Sequence, residues 1–466
     1  MRPRLGEGVG IYLQTTQLAG IIGLSLFAFS CLLSTSGANI GLALLVGATI
    51  LRPPPLQRLR REPLVALAAV STIYLIVRTL WAIWELPQTI HLQVSQAWDW
   101  FRLWLFVVVA WWLKGDLRRS GQVLLLALVG LFVGVTFYLF SHSQSLASGE
   151  RTGFHLKIIA FGLYSSTAIL GLSVLAPRIW GTKHSPPSFA LRAALWFIAL
   201  AGLVQGLIMT QSRGAWLTAV MVIPAVTMAR YWRAEVHKGR SWRLRLGVVG
   251  FLIFGCGTLV VVNFSTVINR LMQEREMFVA AWRGDLDAVP TVGFGVRVHA
   301  FRFGVTKWLE RPLFGWGPGS TEYLISHSGL PQLRHSEMVD GEWQEGANWL
   351  DHLHNTYLEI LVRFGLVGAF LMFGALGLLV KSLWLARRGG RVPLDYAWFL
   401  TGALGLMAIW SLSDFRLLHP DWRSYWILIG GITGTFHVWK TVPACSDAEG
   451  PSPPQTKAEH CHGRHE

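Results

Sequence analysis

Charge is what this sequence has least of: Asp, Glu, Lys and Arg together make up 14% of its 466 residues, where soluble domains carry about 25%. The shortfall excludes an ordinary soluble enzyme. Acidic residues are the scarcer sign, 26 against 41 Lys and Arg. Cysteine is also rare. Of the four, Cys31 and Cys256 fall inside apolar runs and Cys445 and Cys461 in the C-terminal tail, which leaves no pair for a disulfide in an exposed loop. The first apolar run lacks an Ala-x-Ala-like exit and is followed by further runs, the pattern of a retained signal-anchor rather than a cleaved leader. No RNA- or DNA-binding module is recognisable, so the net charge of +15 needs another explanation.

Apolar residues are abundant, at 52%, and they come in runs. A membrane helix needs roughly 20 of them, and runs recur at 15–34, 38–51, 64–84, 100–113, 121–140, 157–176, 192–210, 214–229, 246–263, 365–384, 395–412 and 422–438. The expected fold is therefore an all-α polytopic membrane protein of about twelve transmembrane helices. Nine spans occupy 1–263, one large extramembrane loop 264–353, and three more spans 354–441. The remaining 442–466 is rich in Pro, Ser, Glu, Lys and His and reads as a disordered tail. Its HCHGRH stretch at 460–465 is read as solvated, with metal binding as the alternative.

The basic residues set the orientation. With the N-terminus inside, the inner segments 1–10, 52–62, 114–121, 177–192, 230–245 and 381–392 and the C-terminal 439–466 hold 25 of the 41 Lys and Arg. The outer connections 35–37 and 85–99 hold none. This is the positive-inside bias, so the basic balance reports topology and not nucleic-acid binding. It puts both termini on the inner side and the large loop on the outer side. Long ordered loops on a rigid scaffold are where binding and catalysis concentrate, and a helical hairpin or two is the expected structure there.

Polar residues inside or beside the spans need a reason, because a charge at the bilayer centre costs about 3 kcal/mol on insertion scales. Arg78 lies below the outer end of the third span and either snorkels to the headgroups or meets an anion drawn into the bundle. Arg213, in TQSRGAW, sits in a connection too short to leave the membrane surface. Arg297 leads GVRVHAFRFG on the loop; Arg302, five residues on, falls on another part of that helix and comes second to it. His354 opens HNTYLEILVRFGLVG, which runs into the tenth span, with Glu359 and Arg363 as an i,i+4 pair of structural character. Asp414, at the outer end of the eleventh span, either orients a histidine or caps a turn. All of these map to the outer half of the membrane. Guanidinium forks pair phosphate oxygens directionally, and a neutral histidine beside them is suited to accept a proton. A lipid diphosphate in the outer leaflet is the substrate class this pattern suits.

The sequence resembles the bacterial O-antigen ligases, within the O-antigen ligase and polymerase superfamily. The family's His, Asn/Ser/Gln, nine residues, Gly, two residues, Gly pattern is met by His354, Asn355, Gly365 and Gly368. The stretch 297–319, RVHAFRFGVTKWLERPLFGWGPG, looks like the family's Arg-led helix ending in Pro-Leu-x-Gly-x-Gly, with Phe301 as its aromatic, a small departure. Ser212-Arg213-Gly214 matches the family's arginine after a buried helix.

The resemblance implies transfer of O-antigen polysaccharide from undecaprenyl diphosphate to the lipid A core at the periplasmic face of the bacterial inner membrane, with membrane lipids around it and no nucleic acid. It implies an inverting glycosyltransferase without cofactor or metal; the outer loop shows no metal-ligand spacing, in keeping with this. His354 is then the base, Arg213 and Arg297 the catalytic cations, and Arg78, Asn355, Asp414 and Arg302 the substrate-binding positions. Within the superfamily the alternatives are an O-antigen polymerase or a protein O-oligosaccharyltransferase. Of the arginines with the Arg-x10-Gly spacing linked to polymerases, only Arg151 lies clearly in an outer loop. From another class, a lipid-linked oligosaccharide flippase would place its polar site near the midplane between related halves, and no such repeat is evident.

Overall fold

The computed structural model describes residues 5–55, 62–142, 151–176, 186–235, 263–272, 295–339 and 342–439, with a few isolated positions between them. Helices α1 (Leu5–Ser30) and α2 (Thr35–Leu51) form a hairpin. A Cβ on Gly41 would stand 2.4 Å from the Phe27 backbone nitrogen, so the glycine lets the two backbones touch. Helix α3 (Pro63–Glu85) begins on a proline, whose missing N–H costs nothing in a first turn. Helices α4 (Ile90–Arg102) and α5 (Phe106–Leu113) run on through a 3-10 turn at Leu103–Leu105. The connection 85–99, expected as a plain outer loop, is thus mostly helix. Its apolar residues Ile90, Val94 and Trp98 recur at i,i+4, a spacing that favours helix even where the composition is too polar to cross a membrane.

Helices α6 (Leu117–Ser141), α7 (Ile158–Val174), α8 (Pro186–Met209) and α9 (Arg213–Glu235) follow. Then come α10 (Phe264–Met272), α11 (Gly295–Glu310), α12 (Ser320–Ser326), α13 (Thr356–Arg388), α14 (Leu394–Trp410) and α15 (Pro420–Val438). Five of these helices, α3, α6, α8, α9 and α13, are long and apolar enough to cross a membrane, and α2, α7 and α14 are shorter apolar helices. The described residues are mostly helical, as in a multi-pass membrane protein. The ninth expected span at 246–263 lies almost wholly outside the described residues, as do most of 273–294 and the tail with Cys445, Cys461 and the HCHGRH stretch.

One element departs from the all-helical expectation for the loop. Strands β1 (Arg334–Val339) and β2 (Glu342–Trp349) pair antiparallel, Val339 opposite Glu342 and Arg334 opposite Trp349. The Asp340-Gly341 pair between them in sequence is a dipeptide that favours two-residue hairpins, a local signal that the helical expectation for the loop did not take up.

The centre of the bundle is α15, where nearly every residue from Trp422 to Val438 is buried. A helix surrounded on all sides needs small residues at its closest approaches, and Gly430 and Gly431 face Phe106 and Val109 of α5. The connections between helices come together at one end. His155 donates to the Leu32 carbonyl at 3.0 Å, the Thr152 N–H to Met209 at 3.2 Å, and Asn355 to Leu412 at 2.9 Å. At that end stand His354 and Asp414.

Candidate active site

The start of α13 is stitched to the loop that follows α14. Asn355 caps the helix by accepting from the Leu358 N–H at 2.9 Å, while its own amide donates to the Leu412 carbonyl. The Thr356 N–H donates to Ser411 and its hydroxyl to the Asp414 carbonyl, each at 2.9 Å. These bonds align two segments sixty residues apart, and they bring His354 Nδ1 to 3.3 Å from Asp414 Oδ1. Asn355 therefore acts on the protein itself, as cap and staple.

His354 occupies the left-handed region at φ 53°, which costs a residue with a Cβ of order 1–2 kcal/mol. Asp414 is buried at 2% exposure, whereas the His354 side chain keeps 19%. Asp414 is saturated with donors: Oδ1 accepts from the Phe415 N–H at 2.8 Å and Oδ2 from Arg416 Nε at 3.3 Å. Burial alone would raise its carboxyl, but the His354 hydrogen bond and the Arg416 charge hold it well below the usual carboxylate range. An ionised Asp414 accepting from Nδ1–H fixes the His354 tautomer whose Nε2 carries the lone pair.

Sequence reasoning missed His352 and Arg416. The His352 ring packs edge-on to His354 at 4.2 Å between centroids, and its Nδ1 accepts the His354 N–H at 3.2 Å. Burial, with His354 beside it, pushes His352 down to about 3, so it stays neutral. The His-Leu-His spacing just ahead of a helix start was the available signal. Arg416 also donates toward His419 Nε2 at 3.2 Å. Burial and Arg416 lower His419, with the exposed Lys157 acting in the same sense and Asp421 and Asp351 against it.

His352, His354 and Asp414 offer ligand atoms within 4.8 Å of one another, a grouping able to hold a metal. The linear sequence, with no metal spacing in the loop, could not display it. Both Nδ1 atoms are already bonded inside the protein and Arg416 stands against Asp414, so the donor set suits a proton-transfer dyad better than a divalent ion.

The arginines sort by position. Arg213 opens α9 after the three-residue connection 210–212, and a Cβ on the adjacent Gly214 would lie 3.5 Å from Ser413 Oγ. It thus starts beside the residue preceding Asp414. Arg297 lies in the first turn of α11, half-buried, on a helix that packs Val296, Ala300 and Phe303 against Leu353 and Leu358. Arg302 is exposed further along that helix. Arg78 is brought elsewhere: buried at 2% exposure, it donates from Nε to the Phe314 carbonyl at 3.0 Å and from Nη2 to Gly315 at 2.7 Å, and it pairs with Glu85 at 3.5 Å.

What Arg78 holds explains both glycine motifs. At Gly365 helix α13 breaks, with φ 62° and ψ −164°, a conformation open to glycine. The turn 311–317 inserts at the break: the Trp316 and Gly317 N–H groups donate to Val362 and Arg363, and the Leu366 and Val367 N–H groups donate to Pro312 and Leu313. A Cβ on Gly365 would meet the Leu313 carbonyl at 2.3 Å, and one on Gly315 the Arg363 carbonyl carbon at 2.5 Å. The backbone groups freed by the break are thereby satisfied within the protein, as a lipid surrounding requires. The Gly-x2-Gly and Pro-Leu-x-Gly-x-Gly sequences are two sides of one junction.

No curated protein matches the chain. A family model described as O-antigen ligase matches residues 197–373, and this supports a function of the O-antigen ligase or polymerase type, acting on lipid-linked polysaccharide. The matched stretch contains Arg213, Arg297, the inserted turn, His354 and the Gly365 break, while Asp414, Arg416 and Arg78 lie outside it. That match supports membership of the O-antigen ligase superfamily.

Proposed function

We propose that this protein is an O-antigen ligase, which moves O-antigen polysaccharide from undecaprenyl diphosphate to the lipid A core oligosaccharide on the periplasmic side of the bacterial inner membrane. The observation that carries the reading is the His354–Asp414 pair at 3.3 Å, with the Nε2 side of a partly exposed histidine turned from its buried carboxylate.

In the reaction, His354 Nε2 takes the proton of an acceptor sugar hydroxyl as its oxygen attacks the anomeric carbon. The bond from that carbon to the diphosphate oxygen breaks, and the electron pair leaves with the diphosphate. In-line attack inverts the anomeric configuration. The imidazolium is stabilised by ionised Asp414. Arg213 and Arg297 bind the diphosphate and offset its growing charge, so the step needs no metal. Arg302 lies farther out on the same helix, along the polysaccharide. Arg78 acts on the donor site from behind, through the turn it anchors.

Purified protein in liposomes, given lipid-linked donor and lipid A core, will produce a longer glycolipid in the presence of chelator, and His354→Ala will lose it. Ligation retained by His354→Ala refutes the base assignment; loss with chelator refutes the metal-free step. Transfer to a second lipid-linked unit or to a protein in place of the core identifies the polymerase or the protein transferase. Leaflet movement with no new glycolipid identifies a flippase.

A further inference from the structure

A buried ion pair at the fourth and eighth residues of α13 contacts the neighbours of both members of the dyad, Leu353 and Phe415. Glu359 is fully buried and Arg363 nearly so. Glu359 Oε1 accepts the N–H of Leu353, the residue before His354, at 2.7 Å. Its Oε2 accepts from Thr321 Oγ1 at 2.8 Å and from Arg363 Nε. Arg363 in turn donates to the Pro318 carbonyl and to Gln96 Oε1, and its guanidinium lies 5.0 Å from the ring of Phe415, the residue after Asp414. His352 packs edge-on to the same ring.

A helix needs none of this for its own stability; an exposed i,i+4 pair would contribute only a few tenths of a kcal/mol, and burying a pair is costly unless every hydrogen bond is made. What does need fixing is the backbone at His354, held in a left-handed conformation that persists only where its surroundings over-determine it. One residue before it, the Leu353 N–H is held by Glu359, and one residue after it, Asn355 is fixed by its cap and by its bond to Leu412. Phe415, carried on Arg363, holds the other half of the dyad.

We propose that Glu359 and Arg363 form a positioning unit that sets the geometry of the His354–Asp414 pair, with Thr321 as its third member. The proposal rests on His354 being the base. Glu359→Gln removes the charge, and Thr321→Val removes one hydrogen bond to the carboxylate while keeping the size and both formal charges. Both are measured in the liposome assay beside His354→Ala, as kcat and donor KM across pH. A dyad displaced by a fraction of an ångström loses rate and not donor affinity, so kcat falls about 10- to 100-fold in Glu359→Gln and about 3-fold in Thr321→Val, with donor KM within about 2-fold. A looser His354–Asp414 contact also stabilises the imidazolium less, so the acid limb of kcat moves to lower pH in both. A merely structural pair would reduce the amount of folded enzyme and leave that limb in place. Should Glu359→Gln not fold, Thr321→Val alone decides. Loss of activity in His354→Ala with an unshifted limb and unchanged kcat in the other variants overturns the proposal and spares the base assignment. Activity in His354→Ala overturns both.

Discussion

Asp414→Asn probes the dyad directly, because each carboxylate oxygen has a defined donor. Oδ1 accepts from His354 Nδ1 and the Phe415 N–H, and Oδ2 from Arg416 Nε. An amide offers one acceptor and one donor in their place. With its oxygen toward His354, the NH2 group faces the Arg416 guanidinium; with its NH2 toward His354, it faces the Phe415 N–H and forces the histidine proton onto Nε2, the wrong tautomer for a base. The first orientation does less harm, and it leaves a neutral hydrogen bond where a charge-assisted one stood. A hydrogen bond to a charged group is worth about 1.5–3 kcal/mol, and each 1.36 kcal/mol is tenfold in rate. The neutral bond that remains keeps about 0.5–1.5 kcal/mol of this, so the expected loss in kcat is about 5- to 13-fold at neutral pH. Donor KM should change little, since Asp414 is buried behind the histidine. Without the carboxylate, the imidazolium loses its stabilising charge and the acid limb of kcat moves to lower pH. The assay is initial-rate ligation in liposomes across pH, with protein folding checked by thermal melting. Full kcat in Asp414→Asn, or a limb that stays put while kcat falls, would refute the argument that Asp414 acts through His354.

Three further outcomes are expected. His352 is neutral in the fold with its value pushed down to about 3 from 6.5, so the unfolded chain binds its proton first and stability falls as pH drops from 6.5 towards 3; His352→Gln should flatten that part of a melting-temperature profile. Gly365→Ala places a Cβ against the Leu313 carbonyl at positive φ and should cost more than about 2 kcal/mol, read as a lowered melting temperature or loss of folded protein. Arg78→Met frees the Phe314 and Gly315 carbonyls, each bond to a charged donor being worth about 1.5–3 kcal/mol; proteolysis in the 311–319 turn should accelerate, and an unchanged cleavage rate would show that Arg78 does not anchor it.

Much of the membrane architecture was legible because it rests on local, additive quantities. An apolar run is recognisable whatever it packs against, which is why α3, α6, α9 and α14 fall close to the expected spans. Weaker local signals were passed over, as at the helical connection 90–102 and the β1–β2 hairpin. In the site, His354 stood out by its place at a helix start, and Asp414 was visible with two readings open. Glu359 and Arg363 were read as an i,i+4 pair of structural character with no statement of burial, because spacing along a helix carries no information on burial. Arg78 stood out as a charge in a span, but whether its partner is an anion or a pair of carbonyls depends on what the turn 311–317 does.

The sequence by itself determined that this is a multi-pass helical protein, with its unusual polar residues gathered toward one end and with motifs of the O-antigen ligase superfamily. Hydrophobic periodicity and charge placement suffice for that, since each residue contributes independently of its distant neighbours. Only the tertiary structure decided that His354 meets Asp414 across sixty residues, that His352 and Arg416 join them, that Arg78 serves the inserted turn, and that Glu359 is buried behind the dyad. Those facts depend on the helix break at Gly365 being filled from another segment and on the 411–419 loop being stitched to the start of α13. A long-range hydrogen bond has no signature in either of the strands of sequence it joins.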